Sequence, residues 1–320
     1  MQSQNENILT ILKKERDGIQ AIRHIKDLLV YIQKLRGNSN LFGILYINSE
    51  ENQIELYKSN ITKLIGYLNR SFAVLDDLLG TNESLIGIDR ELKKLEANLS
   101  KFHINVFDIT VKHFDEYSKH ARSTINLMID VADRSYLLAE SDKHQAILLN
   151  LLINIVLNLI ENVGKLRAIG VKVINKKVKN IHDISELQYY VEIVRNYTHS
   201  FNKEFDIYAN IIDNKKEREK FLNLKNRLSK DINYFIKLTE EELLNQEIIF
   251  IEPKYFFEQG DDIIKSENIF YNEIFKVLDD YINSRIIAIS KLILRDSLIK
   301  YTSIFSITAF IIYTAESLFQ

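Results

Sequence analysis

The sequence predicts an all-α fold: an elongated antiparallel helical bundle of about eight helices, forming two stacked four-helix bundles. Three observations predict it. Only one proline and nine glycines occur in 320 residues, fewer turn formers than a β-sandwich or an α/β enzyme uses. Hydrophobic residues make up 46% of the chain and charged residues 27%, a globular balance with length enough for a buried core. Apolar residues recur at three- and four-residue spacing nearly throughout, as amphipathic helices require.

The elements follow from that spacing. Ile8, Ile11, Leu12, Ile19, Ile22, Leu29 and Ile32 begin a stripe that runs to about Tyr46. Asn48 with Glu51 fits a capping arrangement, opening a second helix that ends near Gly80. A third helix is expected from about residue 83 to 101 and a fourth from about 107 to 140. The fifth, from about 142 to 169, is the most apolar. Gly170 and the basic stretch VKVINKKVKNIH interrupt the pattern. Asp183 with Glu186 reads as a second capping pair for a helix to about Ile212. Asp213-Asn214 marks a turn, and another helix follows to about Asn245. The segment 247–260, with Pro253, is irregular, and the last helix runs from about Asp262 into the tail. Short connections make successive helices antiparallel neighbours. Residues 1–300 read as one helical domain and 301–320 as an apolar tail.

Composition also excludes functions. A formal charge of −2 carries no clustered basic excess of the kind nucleic acid selects. The absence of cysteine removes disulfides, thiolate metal sites and cysteine nucleophiles. No glycine-rich phosphate loop, nucleophile elbow or zinc-protease motif is present, so the expectation is a protein that is not an enzyme and uses no cofactor. Residues 1–13 are polar and lack the apolar centre of a secretory signal. Residues 301–315 carry no charge, and Leu292-Ile293-Leu294 precede them. A membrane span needs about 20 mostly apolar residues. The tail is therefore a marginal span, the start of one, or a buried helix end. Lys291, Arg295 and Lys300 precede it and would place the domain in the cytoplasm by the positive-inside rule.

Arg36 and Arg167 are the candidate functional residues. Each sits in a matching tripeptide at the end of an apolar stripe: Lys34-Leu35-Arg36 before Gly37, and Lys165-Leu166-Arg167 before Ala168-Ile169-Gly170. Glycine inside a helix costs about 1 kcal/mol relative to alanine, so its use beside an arginine suggests close backbone approach. An arginine on an apolar face needs a partner, because an unpaired buried charge is costly. A planar anion fits the guanidinium fork. A glutamate, or a carbonyl at a helix end, fits as well.

Together these stretches resemble the nitrate- and nitrite-sensing (NIT) helical domain of bacterial receptors and antitermination regulators. Its first motif stands here as Ile32-Gln33-Lys34-Leu35-Arg36-Gly37-Asn38-Ser39, followed by Leu41-Phe42. Gln33, Arg36, Gly37 and Ser39 match, and Leu35 replaces the usual glutamate. The second motif stands as Val163-Gly164-Lys165-Leu166-Arg167-Ala168-Ile169-Gly170. Glu252-Pro253-x-x-Phe256-Phe257 is similar to the segment before the last long helix in such sensors. The resemblance implies a non-catalytic module binding nitrate or nitrite, with Arg36 and Arg167 flanking the anion and Gln33, Gly37, Ser39 and Gly170 in the ligand-binding motifs. It implies a helix shift relayed to an output signalling domain or partner protein, and is compatible with a homodimer. Two alternatives stand beside it: a structural or interaction bundle without ligand, and a chemoreceptor-like sensor of another small anion.

Three further constellations invite chemistry. Asn150, Asn154, Asn158 and Asn162 share one face of the fifth helix and would line a polar cavity or fix helix register. His113, Glu116 and His120 share a helical face that a metal would accept. No second Glu-x-x-His helix completes a bundle metal site, so surface histidines are expected. Lys172, Lys176, Lys177 and Lys179 would steer anions or form a solvated connector.

Overall fold

In the computed structural model, which describes residues 2–47, 51–80, 85, 87–109, 113–139 and 142–318, no strand occurs among those residues. Eight helices account for nearly all of them. They are α1 (Gln2–Ile47), α2 (Glu51–Gly80), α3 (Ile88–His103), α4 (His113–Arg134), α5 (Lys143–Lys176), α6 (Ile181–Ile211), α7 (Lys215–Thr239) and α8 (Pro253–Leu318). A π-helical stretch, Asn150–Val156, lies inside α5, and another, Glu240–Leu244, extends α7.

The expected boundaries shift for local reasons. Asn48, the proposed cap of α2, and the expected start of α3 at residue 83 lie outside the described residues. Gly87, at φ +92°, turns the chain into α3, a backbone conformation that glycine reaches without strain. Asp142 caps α5 by accepting the Gln145 amide. Gly170 does not break this helix, which continues to Lys176 and stops where Lys177 adopts φ +59°. The cap of α6 is Asn180, three residues before the expected position, with Asp183 completing a capping box. Asn214 caps α7 through two backbone amides. Pro253 opens α8 instead of lying in an irregular stretch. Its fixed φ and missing N–H suit the first helical position.

Packing follows two groups of neighbours. Helix α1 lies against α2 and α4, with α3 beside both of those. Helix α5 lies against α6 and α8, with α7 beside both of those. Helix α1 also packs along α8 and touches α5, which joins the groups. The α1–α8 pair is antiparallel: Arg23 reaches Asp279, Lys26 reaches Asn272 and Asn5 reaches Asp296. The α1–α5 pair is parallel: Glu15 meets Gln145, Gln33 meets Glu161 and Asn40 meets Ala168. Three long helices therefore share one seam.

Helix α5 is apolar enough to cross a membrane by length and composition, but 78% of its most apolar window is buried inside the fold. It is the central helix of the seam. The far end of α8 differs: the side chains of residues 301–312 are all exposed, so that stretch is not buried against the rest of this chain.

Candidate functional site

Arg36 and Arg167 sit in mid-helix on α1 and α5, and both are buried (2% and 6% exposed). Each guanidinium lies beside the glycine of the other's motif. A methyl group added at Gly37 would meet Arg167 Nη2 at 3.3 Å, and one at Gly164 would meet Arg36 Nη2 at 2.8 Å. Gly260 of α8 completes the arrangement, since a methyl group there would lie 2.8 Å from the Arg167 stem. These glycines serve the close approach expected from their place beside arginines.

Both guanidiniums have carboxylate partners. Arg36 Nη1 donates to Glu161 Oε1 at 2.5 Å and to the Ser118 hydroxyl at 3.1 Å, and the guanidinium faces the Phe114 ring. Glu161 is 4% exposed and also accepts from Gln33 Nε2 at 3.0 Å, with Lys165 Nζ 3.4 Å away. Arg167 Nη1 donates to Asp261 Oδ1 at 2.9 Å, and its guanidinium lies 4.4 Å above the Phe257 ring. Asp261 is shared: Lys265 Nζ lies 3.0 Å from its other oxygen. The Nε of Arg167 is buried and has no hydrogen-bond acceptor among the described residues.

The seam is electropositive. Among the described residues, Arg36, Lys165 and Arg167 pair there with Glu161 and Asp261 alone. Burial pulls the Arg167 pKa down to about 10, Asp261 opposes that, and the nearby Arg36 charge adds to it. Burial likewise lowers the pKa of Lys165, with Glu161 raising it and Arg36 lowering it. Like charges held together in a low-dielectric seam store repulsion that a further anion would relieve.

The motif residues divide. Arg36, Arg167, Gly37 and Gln33 meet around Glu161 and Asp261. Ser39 is buried one turn on, near the Tyr117 hydroxyl of α4, and partly offsets the rise that burial causes in that phenol's pKa. Gly170 faces Phe256, whose ring fills the space a methyl group would need. Phe256 also lies against the Phe235 ring, centroids 4.9 Å apart. Residues 252–257 thus belong to the seam through Phe256 and Phe257.

The other constellations resolve structurally. The α5 asparagines bond within their own helix: Asn162 to the Asn158 carbonyl, Asn158 to the Asn154 carbonyl, and Asn154 to the Asn150 side chain. Asn154 is exposed, Asn150 and Asn158 are half-buried and Asn162 is buried, so the stripe runs from the surface into the fold and its amides bond within their own helix. His113 and His120 are buried (6% exposed each), correcting the expected surface placement. They pack with Phe102 at 5.6 and 6.1 Å between ring centroids. Lys172 and Lys176 pair with Glu186 at 2.9 Å and Asp183 at 2.8 Å, and Lys179 donates to the Leu243 and Leu244 carbonyls. Lys172 and Lys176 tie α5 to α6, and Lys179 ties the connector between them to the end of α7. His182, Asp183 and Glu186 offer ligand atoms within 4.8 Å of one another, but the same lysines already engage both carboxylates.

Fold and site define an all-α bundle with a buried, arginine-rich ion-pair seam. Comparison with protein-family models, curated proteins and solved structures finds no match. The geometry and the motif resemblance are therefore what a functional reading rests on.

Proposed function

We propose that this protein is a non-catalytic signal-sensing module that binds a small planar anion, nitrate or nitrite, in the α1–α5–α8 seam. The observation that carries the reading is the reciprocal approach of Arg36 and Arg167, with three buried cations against two carboxylates and the Arg167 Nε unpartnered. An anion there adds charge-assisted hydrogen bonds of about 1.5–3 kcal/mol each and relieves repulsion between the guanidiniums. A ligand shifts a conformational equilibrium only by its differential affinity for the two states. The seam supplies such a difference if α8 sits differently with the anion bound. In this reading the two groups of four helices are stacked four-helix bundles. Helix α8 carries the shift to an output domain, a partner protein or a second copy, with the tail free to meet a membrane.

A second reading rests on the pairing itself. Glu161 and Asp261 already satisfy one Nη of each arginine, and this is what a structural or interaction bundle without ligand requires. Thermal unfolding separates the two. The sensor reading expects sodium nitrate or nitrite to raise Tm by a few degrees over sodium chloride at equal ionic strength. It expects Arg36→Lys and Arg167→Lys to abolish the rise, since lysine keeps the charge and loses the planar fork. No nitrate- or nitrite-specific rise at tens of millimolar leaves the structural reading.

A further inference from the structure

We infer that Asp261 is a built-in stand-in for the anion, and that ligand enters at Arg167 by displacing it onto Lys265. The inference rests on the sensor reading and deepens it, because it names which of the two ion pairs opens.

The two pairs are unlike. Arg36 and Glu161 have side-chain exposures of 2% and 6%. Glu161 is held from three sides, by Arg36, Gln33 and Lys165. Removing it from Arg36 would strand a buried charge, which is strongly unfavourable. The Arg167 side chain is equally buried at 7%, but Asp261 is 35% exposed. Asp261 has a second cation on its own helix: Lys265, one turn on, lies 3.0 Å from Oδ2 and is itself 66% exposed. Lys265 also reaches Asp262 at 3.1 Å, so it sits in an acidic surface cluster open to solvent. The Asp261 carboxylate can leave Arg167 for water and Lys265 without stranding its own charge. Arg167 has no such alternative among its contacts.

The vacated space has a defined chemistry. A carboxylate is a planar three-atom O–C–O group, and nitrite is a planar O–N–O group of the same shape. Nitrate adds one oxygen in the same plane. Any of them presents paired acceptors to the guanidinium fork, and the unpartnered Nε of Arg167 offers a donor that Asp261 leaves unused. Gly37 at Nη2 and Gly260 along the stem keep the backbone of α1 and α8 close to this arginine. Loss of the Arg167–Asp261 bond releases the ion pair between α5 and the third turn of α8 and leaves the Gly170–Phe256 packing in place.

Calorimetric titration of the full chain with sodium nitrite and sodium nitrate tests this, comparing wild type, Asp261→Asn and Lys265→Gln. Asp261→Asn keeps the shape and removes the competing charge, so affinity should rise about tenfold, equivalent to 1.4 kcal/mol. Lys265→Gln removes the alternative partner and should lower affinity several-fold. Adding Arg167→Lys to Asp261→Asn should abolish the gain. Binding in wild type with affinity unchanged or weaker in Asp261→Asn overturns the role of Asp261 and leaves the sensor reading intact. No binding in any variant overturns both. Circular dichroism checks that Asp261→Asn folds. If it does not, Lys265→Gln alone decides, since it alters an exposed side chain, and unchanged affinity there overturns the inference.

Discussion

At the scale of single residues, Glu267 sets a problem that the seam does not solve. It lies on α8, is 0% exposed, and neither carboxylate oxygen has a hydrogen-bond partner. Burial raises its pKa well above the usual carboxylate value, so the folded protein holds it protonated. The unfolded chain ionises it near pH 4.5. Its contribution to stability is complete below that value and is lost as pH rises towards the folded pKa, because the folded state then binds the extra proton. His103 has the opposite sign. Burial, and then His120, pull its pKa down to about 4 against a usual 6.5, so stability falls as pH drops from 6.5 towards 4. Urea midpoints measured from pH 5 to 8 should therefore show a declining alkaline limb in wild type that flattens in Glu267→Gln. An identical decline in the variant would mean that another group carries it. Glu267 stands in the sequence as one glutamate among many, and nothing local separates it from a surface residue. Its place comes from packing around α8, which periodicity alone does not resolve. The same is true of Glu161 and Asp261. The arginines announced themselves by lying beside glycines, whereas their partners come from helices that cross them.

At the scale of helices, the glycines sort into those that serve contact and those that do not. Helix positions normally disfavour glycine by about 1 kcal/mol relative to alanine. Gly66, inside α2, has nothing within 4 Å of the position a methyl group would take. Gly66→Ala should therefore stabilise the protein by about 0.5–1 kcal/mol. Gly170 packs directly on the Phe256 ring, so Gly170→Ala must push α8 away from α5 and should cost about 1–3 kcal/mol. Chemical denaturation of the two variants should move the midpoint in opposite directions. A stabilising Gly170→Ala would mean that the α5–α8 contact is looser than it stands. The eight long α-helices were legible in the sequence, because long amphipathic stripes carry that information, whereas the π-helical stretches at Asn150–Val156 and Glu240–Leu244 were not. Helix boundaries were less legible. Asn180 and Asp183 are both good caps by residue type, and the flanking backbone, which makes Asn180 the cap, decides between them. Pro253 suggests an irregular segment by residue type alone, yet at the first position of a helix proline is a starter.

At the scale of the whole molecule, the question is how a change at the seam reaches the exposed end of α8. The helix is 66 residues long, about 100 Å at 1.5 Å per residue, and α1 runs antiparallel beside much of it. Contacts between them are spread along the pair: Arg23 to Asp279 at 3.3 Å, and Asn5 to Asp296 at 3.5 Å. The second is a weak bond at the periphery, of the kind that a sliding helix exchanges easily. Side chains packed in a core have discrete arrangements rather than a continuum, so helix shifts of about 1–2 Å are the usual unit of such a relay. The chain contains no cysteine, so paired spin labels can be placed without background. A Gln4→Cys, Lys300→Cys pair reports α1 against the far part of α8, and a Gln20→Cys, Asn69→Cys pair reports α1 against α2. If Arg167 and Asp261 form the input, nitrate should move the first distance by about 1–2 Å and leave the second unchanged, and Arg167→Lys should abolish the movement of the first. Equal movement in the two pairs would point to general loosening of the bundle. A fixed first distance with nitrate demonstrably bound would show that α8 does not carry the signal, and would move the search for an output to the exposed faces of α3 and α4.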